Sequence, residues 1–211
     1  MAINLKKGQT INLRKEECDL SKVTIGLGWH VKEAKKGFFG SVFGVKDKEA
    51  DYDLDAIAFL MDDQDKVRNL GNKLVGGDVV FYNNKKHTSG TVWSSGDNLV
   101  GGTEDADCEQ IVCLLTKVPQ QYAKILFIVS IYQGVQKNQS FGNVDKAYIR
   151  AVDAKGKELA RFDLSSEPSF ANKRSMVFAE MYRYGDEWKF RALGDAEETD
   201  SFVEILKRYI A

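Results

Sequence analysis

Val23, Ile25, Leu27 and Trp29 share one parity, which commits residues 23 to 29 to a strand with one buried face. Gly26 and Gly28 fall on the other parity, where a missing side chain invites close approach by another element. Short segments of this kind recur along the chain, separated by turn residues. Residues 54–61 are apolar on both parities and predict a central strand buried on both faces. Residues 78–82, 110–115 and 124–132 predict further strands. Residues 146–153 and 157–164 predict a hairpin about Ala154-Lys155-Gly156. Residues 175–184 and 187–193 predict another about Gly185-Asp186, with Tyr182, Tyr184 and Trp188 as aromatic cross-strand pairs. Near the start, residues 3–5 and 10–13 flank Lys7-Gly8-Gln9 as a hairpin. The period changes at the end: Phe202, Ile205, Leu206 and Tyr209 fall at helical spacing, and Ser201 with Glu204 fits a capping box. The expected architecture is an all-β, two-sheet β-sandwich with short connecting helices and a C-terminal helix at about 200–210. No composition break, linker or fixed-period repeat divides the 211 residues, so one domain over 1–211 is expected.

The acids are unevenly spread. Net charge is −1, which excludes global steering toward nucleic acid or an anionic membrane. Locally, Asp97, Glu104, Asp105, Asp107 and Glu109 crowd one stretch that has no Lys or Arg between Thr91 and Gln110. Asp105, Asp107 and Glu109 alternate, so in an extended segment they point one way, while Gly96, Gly101 and Gly102 let the chain turn tightly. Asp51, Asp53 and Asp55 also alternate and lead into the apolar run 56–61. Like charges entering a buried strand are costly without compensation. Oxygen ligands on a flexible loop suit Ca²⁺, which takes about six to eight of them, better than the stricter Mg²⁺. Solvated turns also use acidic, Gly-rich sequence, and the EF-hand spacing is absent. On spacing alone, both readings stand. A carboxylate pair could also serve a metal-assisted hydrolase acting on phosphate compounds, although five acids exceed what an acid–base pair needs.

Other searches narrow the field. His30 and His87 lie in no catalytic pattern; His30 reads as a structural histidine and His87 as part of an exposed basic turn with Asn83 to Lys86. There is no nucleophile elbow, phosphate-binding loop, zinc-protease motif or dinucleotide fingerprint. Basic residues are scattered, so no nucleic-acid partner is expected. Cys18, Cys108 and Cys113 form no CxxC pair and read as reduced thiols of a cytoplasmic protein. The N-terminus has no signal-peptide core, and the longest apolar run cannot span a bilayer. Asp62 to Asp65 read as a solvated turn. Phe38, Phe39 and Phe43 could face a partner or dip into lipid as a calcium-dependent membrane adaptor; folding back over the sandwich end is the favoured reading.

A longer series of motifs then comes together. Val-Thr-Ile-Gly-Leu-Gly-Trp (23–29), Asp-Tyr-Asp-Leu-Asp-Ala (51–56), Val-Val-Phe-Tyr-Asn (79–83) and Ser-Gly-Asp-Asn (95–98) occur in order. Asp-Ala-Asp-Cys-Glu (105–109), Ser-Phe-Gly-Asn-Val (140–144), Ala-Tyr-Ile-Arg (147–150), Ala-Arg-Phe-Asp-Leu-Ser (160–165) and Glu-Met-Tyr-Arg-Tyr-Gly-Asp-Glu-Trp-Lys-Phe-Arg-Ala (180–192) follow. Together they resemble the TerD family of tellurite-resistance and general stress-response proteins, from near the N-terminus to about Gly194. The resemblance implies a calcium-binding β-sandwich without enzymatic activity, holding one or two Ca²⁺ ions and working with other proteins of a stress-response complex. Asp53 and Asp55 match the family's D-x-D element; Asp97, Asn98, Asp105, Asp107 and Glu109 match its Gly-Asp-Asn and acidic-loop motifs. These seven are the ligands the resemblance implies. His30 stands where the family usually has Asp, the 99–104 stretch is one residue longer and less acidic, and Cys108 replaces an acid. Weaker or fewer ions than the family norm are therefore expected. The family's Gly-rich ending is replaced here by residues 196–211.

Overall fold

The computed structural model describes residues 3–14, 16–31, 52–95, 107–163 and 168–210. In chain order the elements are β1 (Ile3–Asn4), β2 (Thr10–Leu13), β3 (Val23–Val31), β4 (Leu54–Met61), β5 (Val79–Val80) and β6 (Val92–Ser94). They continue with β7 (Glu109–Cys113), β8 (Lys124–Ile131), β9 (Val144–Val152), β10 (Glu158–Asp163), β11 (Ser175–Tyr184), β12 (Glu187–Glu197) and the helix α1 (Phe202–Leu206). One sheet runs β1-β10-β9-β3-β7-β6 and the other β2-β12-β11-β8-β4-β5. Strand pairs are antiparallel except the short parallel β1–β10 contact. The connecting helices are single 3-10 turns at Leu115–Lys117, Phe141–Asn143 and Pro168–Phe170. The expected all-β sandwich is what the chain forms.

The alternation in β3 explains how the sheets meet. Val23, Ile25, Leu27 and Trp29 pack in one cluster with Leu54, Ala58 and Leu60 of β4 and with Ile125, Phe127 and Val129 of β8. The other parity of β4, Ile57, Phe59 and Met61, is equally buried. It lies in a second cluster with Leu126, Ile128, Val177 and Phe81, beneath Phe202, Ile205 and Leu206 of α1. A strand apolar on both parities is thus one with the core on one face and a helix on the other. The Trp29 indole N–H donates to the Tyr52 carbonyl (3.1 Å), so its one polar atom is satisfied inside.

Several local expectations are corrected. Residues 3–5 and 10–13 do not pair with each other: β1 joins β10 and β2 joins β12, so the turn at Gly8 (φ +82°) carries the chain from one sheet to the other. Burying Leu5 and Leu13 in the same core accounts for the crossover. In the β11–β12 hairpin, Tyr182, Arg183 and Tyr184 lie opposite Lys189, Trp188 and Glu187. The rings therefore meet cations rather than one another, with Lys189 3.4 Å from the Tyr184 ring and Arg183 4.5 Å from Trp188. The terminal helix packs on the sheet as its period requires, but Ser201 makes no side-chain cap bond, so the capping box does not form. The chain leaves α1 in a turn, and the Val67 N–H then donates to the Tyr209 carbonyl (2.7 Å).

Candidate functional site

The chain leaves β3 at Val31 and returns at β4, and it leaves β6 at Ser94 and returns at β7. Leu27 lies opposite Glu109, and Ser94 opposite Ile111, so these strand ends share one end of the sandwich. The Ser95 N–H and hydroxyl donate to the Gln110 carbonyl (3.0 Å) and side-chain oxygen (3.2 Å), clamping the base of the segment that carries Asp97, Asn98 and Asp105. Those three residues lie outside the described residues, as do Asp51, Phe38, Phe39 and Phe43. Asp53, Asp55, Asp107 and Glu109 are placed, all at this end.

Glu109 is 4% exposed and belongs to the inner face of its sheet, since it pairs with the core residue Leu27. Its Oε2 accepts the Ala56 N–H of β4 at 2.5 Å. The reason is topological: β5 covers β4 only at Ala58 and Phe59, and the Glu109 carboxylate serves the backbone just beyond. One acid therefore ties the two sheets together where both acidic segments run into their strands.

Asp107 lies on the opposite face. Its carboxylate sits over Gly26, where a Cβ would collide with it. It accepts Arg150 Nε (2.8 Å) and the Tyr148 hydroxyl (3.2 Å) on Oδ1, and Gln110 Nε2 (3.3 Å) on Oδ2. Asp107 precedes β7 rather than continuing it, so alternation with Glu109 does not hold across the junction. Tyr148 lies over Gly28 in the same manner, and Arg161 stacks 3.7 Å from its ring. Burial, then the neighbouring Asp107 charge, pushes the Tyr148 phenol up to about 12. The two glycines signalled this close approach in the sequence. The sources, Asp107 over Gly26 and Tyr148 over Gly28, were identifiable only once β7 and β9 were known to pair with β3.

Asp53 is half-buried just before β4, and Asp55, 8% exposed, lies on the outer parity of β4 with Ile57 and Phe59. Burial, then the Asp55 charge, raises the phenol of Tyr82. Among the described residues no three His, Cys, Asp or Glu side chains group closely enough to hold a metal ion. Both Asp107 oxygens and one Glu109 oxygen accept protein donors.

A second polar cluster was missed at the sequence level. His87, read as part of an exposed basic turn, is 2% exposed. Its Nδ1 faces the Ser89 N–H (3.1 Å) and hydroxyl (2.7 Å), and its Nε2 faces Asp78 Oδ1 (3.2 Å). A backbone N–H can only donate, which makes Nδ1 an acceptor and puts the proton of neutral His87 on Nε2, toward Asp78. Tyr122 also donates to Asp78 Oδ1 (2.8 Å), and the Asn69 N–H to Oδ2 (2.9 Å). Ser89 Oγ meanwhile lies 2.7 Å from Thr91 Oγ1 and accepts the Thr91 N–H (3.3 Å). The arrangement locks the turn. Two other turn acids are likewise engaged: Asp62 accepts the Gln64 and Lys66 N–H groups (both 2.9 Å), and Asp65 pairs with Lys124 (2.6 Å).

Comparison with known proteins agrees with this architecture. Tellurium resistance protein TerX of Serratia marcescens is 52% identical over 216 residues, covering 100% of both chains. Stress response protein SCP2 of Bacillus subtilis (strain 168) is 36% identical over 211 residues, again covering 100% of both. The crystal structure of a homologue of telluride resistance protein (TerD) from Streptomyces coelicolor A3(2) superposes with TM-score 0.63 at 17% identity, covering 90% of this chain and 98% of that one. That likeness speaks for the fold alone. The TerD domain family matches residues 1–209, and with two full-length relatives above a third identical this chain belongs to that family.

Proposed function

We propose that this protein is a calcium-binding module of the tellurium-resistance and stress-response type, working in the cytoplasm without a catalytic step and presenting a surface to other proteins of a stress-response complex. The observation that supports this reading is the Glu109–Ala56 bond, which joins β7 at its first residue to β4, the strand that Asp53 precedes and that carries Asp55. In this reading Asp53 and Asp55 of one segment, with Asp97, Asn98 and Asp105 of the other, would hold the ion. Glu109 and Asp107 would keep the two segments in place. Bound calcium would supply the positive charge that lets these carboxylates crowd together. The names of the relatives support the stress-response assignment. No helix among the described residues is long and apolar enough to cross a membrane.

Thermal unfolding of chelator-stripped protein against calcium, with magnesium as control, tests this. A ligand bound only to the native state stabilises by about 2.7 kcal/mol at a hundredfold excess over its Kd. The expected result is a saturable rise in Tm with calcium, little with magnesium, and loss of the rise in Asp53→Asn/Asp55→Asn. No rise at millimolar calcium would overturn the reading.

A further inference from the structure

Among the described residues each sheet ends in two edge strands: β1 and β6 in the first, β2 and β5 in the second. An edge strand is a template for another chain unless it is short, covered or charged. β1 and β5 are two residues long. β6 is screened by the turn before it, where the His87 N–H donates to the Val92 carbonyl (2.9 Å) and the Ser94 N–H to the Lys85 carbonyl (2.8 Å). β2 is longer, and its Thr10 and Asn12 are exposed. Its four residues include no Pro and no charge, and its register against β12 has no bulge. Ile11 packs on the core only in part, which leaves apolar surface at the rim.

The ladder fixes which backbone groups of β2 remain open. The Ala192 N–H donates to the Gln9 carbonyl (3.0 Å), so alternate residues from Gln9 onward bond to β12. Ile11, opposite Phe190, and Leu13, opposite Trp188, therefore turn their N–H and C=O groups to β12. Thr10 and Asn12 turn theirs outward, where no strand follows among the described residues. Arg14 closes the open side: its carbonyl accepts the Glu17 (3.0 Å) and Cys18 (2.9 Å) N–H groups. At the other end the Gly8 N–H is taken by the Ala192 carbonyl (2.8 Å).

We propose that β2 is a homodimer interface, pairing antiparallel with β2 of a second copy of this chain about a twofold axis at Ile11. In this register Thr10 and Asn12 of one copy exchange N–H···O bonds with Asn12 and Thr10 of the other, and every outward group is satisfied. An axis at Asn12 would set Thr10 against Arg14, whose carbonyl is already bonded, and an axis at Thr10 would set Asn12 against Gly8, whose N–H is already bonded. The segment is thus complementary to itself, which is what a twofold interface requires. Side chains agree with the backbone. Thr10 meets Asn12 on the polar outer face, Ile11 meets Ile11 at the apolar rim, and Arg14 faces a glycine. Dilute protein is monomeric, with β2 exchanging as a free edge. None of these residues belongs to the acidic end, so the calcium reading and this one stand or fall separately.

Analytical ultracentrifugation of the full chain over a concentration series tests the proposal. The expected result is a reversible rise toward twice the monomer mass. Asn12→Pro removes one outward N–H from each copy, two of the four new bonds, and should weaken the dimer by about tenfold without touching the β12 ladder. Asn12→Thr keeps the N–H and should retain the dimer. Mild oxidation reads the register without relying on the proline variant to fold. Ile11→Cys places two Cα atoms about 4.5 Å apart across the axis, within disulfide reach. Thr10→Cys leaves them about 7–8 Å apart on the diagonal, beyond it. Ile11→Cys should therefore give a linked dimer and Thr10→Cys should not, with wild type as control for Cys18, Cys108 and Cys113. A monomer up to about 1 mM, a folded Asn12→Pro variant that dimerises as wild type does, or equal linking of the two cysteine variants would each overturn it.

Discussion

The carboxyl of Asp78 is held below the usual carboxylate range: burial works to raise it, and hydrogen bonds from His87, Tyr122 and the Asn69 N–H outweigh that effect. A carboxyl whose folded value lies below its unfolded value of about 3.9 contributes stability at neutral pH. That contribution is lost as pH falls through the unfolded value toward the folded one. Asp78→Asn is therefore expected to lower the denaturant midpoint at pH 7, and the gap from wild type should narrow progressively below about pH 4. Urea unfolding across that range measures it, and a constant gap would contradict the linkage. His87 carried no signal of its burial, because a lone histidine among lysines and asparagines has no periodicity to read. Asp107 is the reverse case. The glycines facing it in β3 announced a close neighbour, while its partner Arg150 comes from a strand some forty residues later, at a separation of 43.

At the scale of elements, α1 is held by its apolar face. Phe202 packs 5.2 Å from the ring of Phe81 and 6.5 Å from that of Phe59, centroid to centroid, with Ile205 and Leu206 alongside. Phe202→Ala is expected to destabilise the protein by about 3 kcal/mol, through lost burial and the cavity left above β4. Ser201 caps nothing with its side chain, so Ser201→Ala should cost less than about 0.5 kcal/mol, where a working cap would cost about 1. Chemical denaturation of both variants checks the pair, and a large Ser201 effect would restore the capping box. The helical period was legible because packing on a sheet demands it. The cap was not, because Ser-x-x-Glu spacing does not require the bond to form.

Across the whole molecule, protection is expected to follow position in the sheets. β4, β8 and β11 are hydrogen-bonded on both sides and run through the core, whereas β1 is a two-residue parallel strand at an edge and β2 ends the other sheet. Amide hydrogen exchange should therefore be slowest in β4, β8 and β11, tracking global unfolding, and faster in β1 and β2, which open locally. Equal protection throughout would contradict this. The sequence by itself determined the strands other than the three-residue β6, and their inward faces, because alternation reports burial directly, and it determined the family through motifs spread along the chain. It also drew attention to the acidic segments, because crowded like charges require compensation. Only the tertiary structure decided that β1 and β2 join different sheets, that Asp107 turns to Arg150 while Glu109 reaches β4, and that Arg161 stacks on Tyr148. Each of these depends on which distant strands become neighbours. Local periodicity carries no term for that choice; the joint burial of side chains from both sheets makes it.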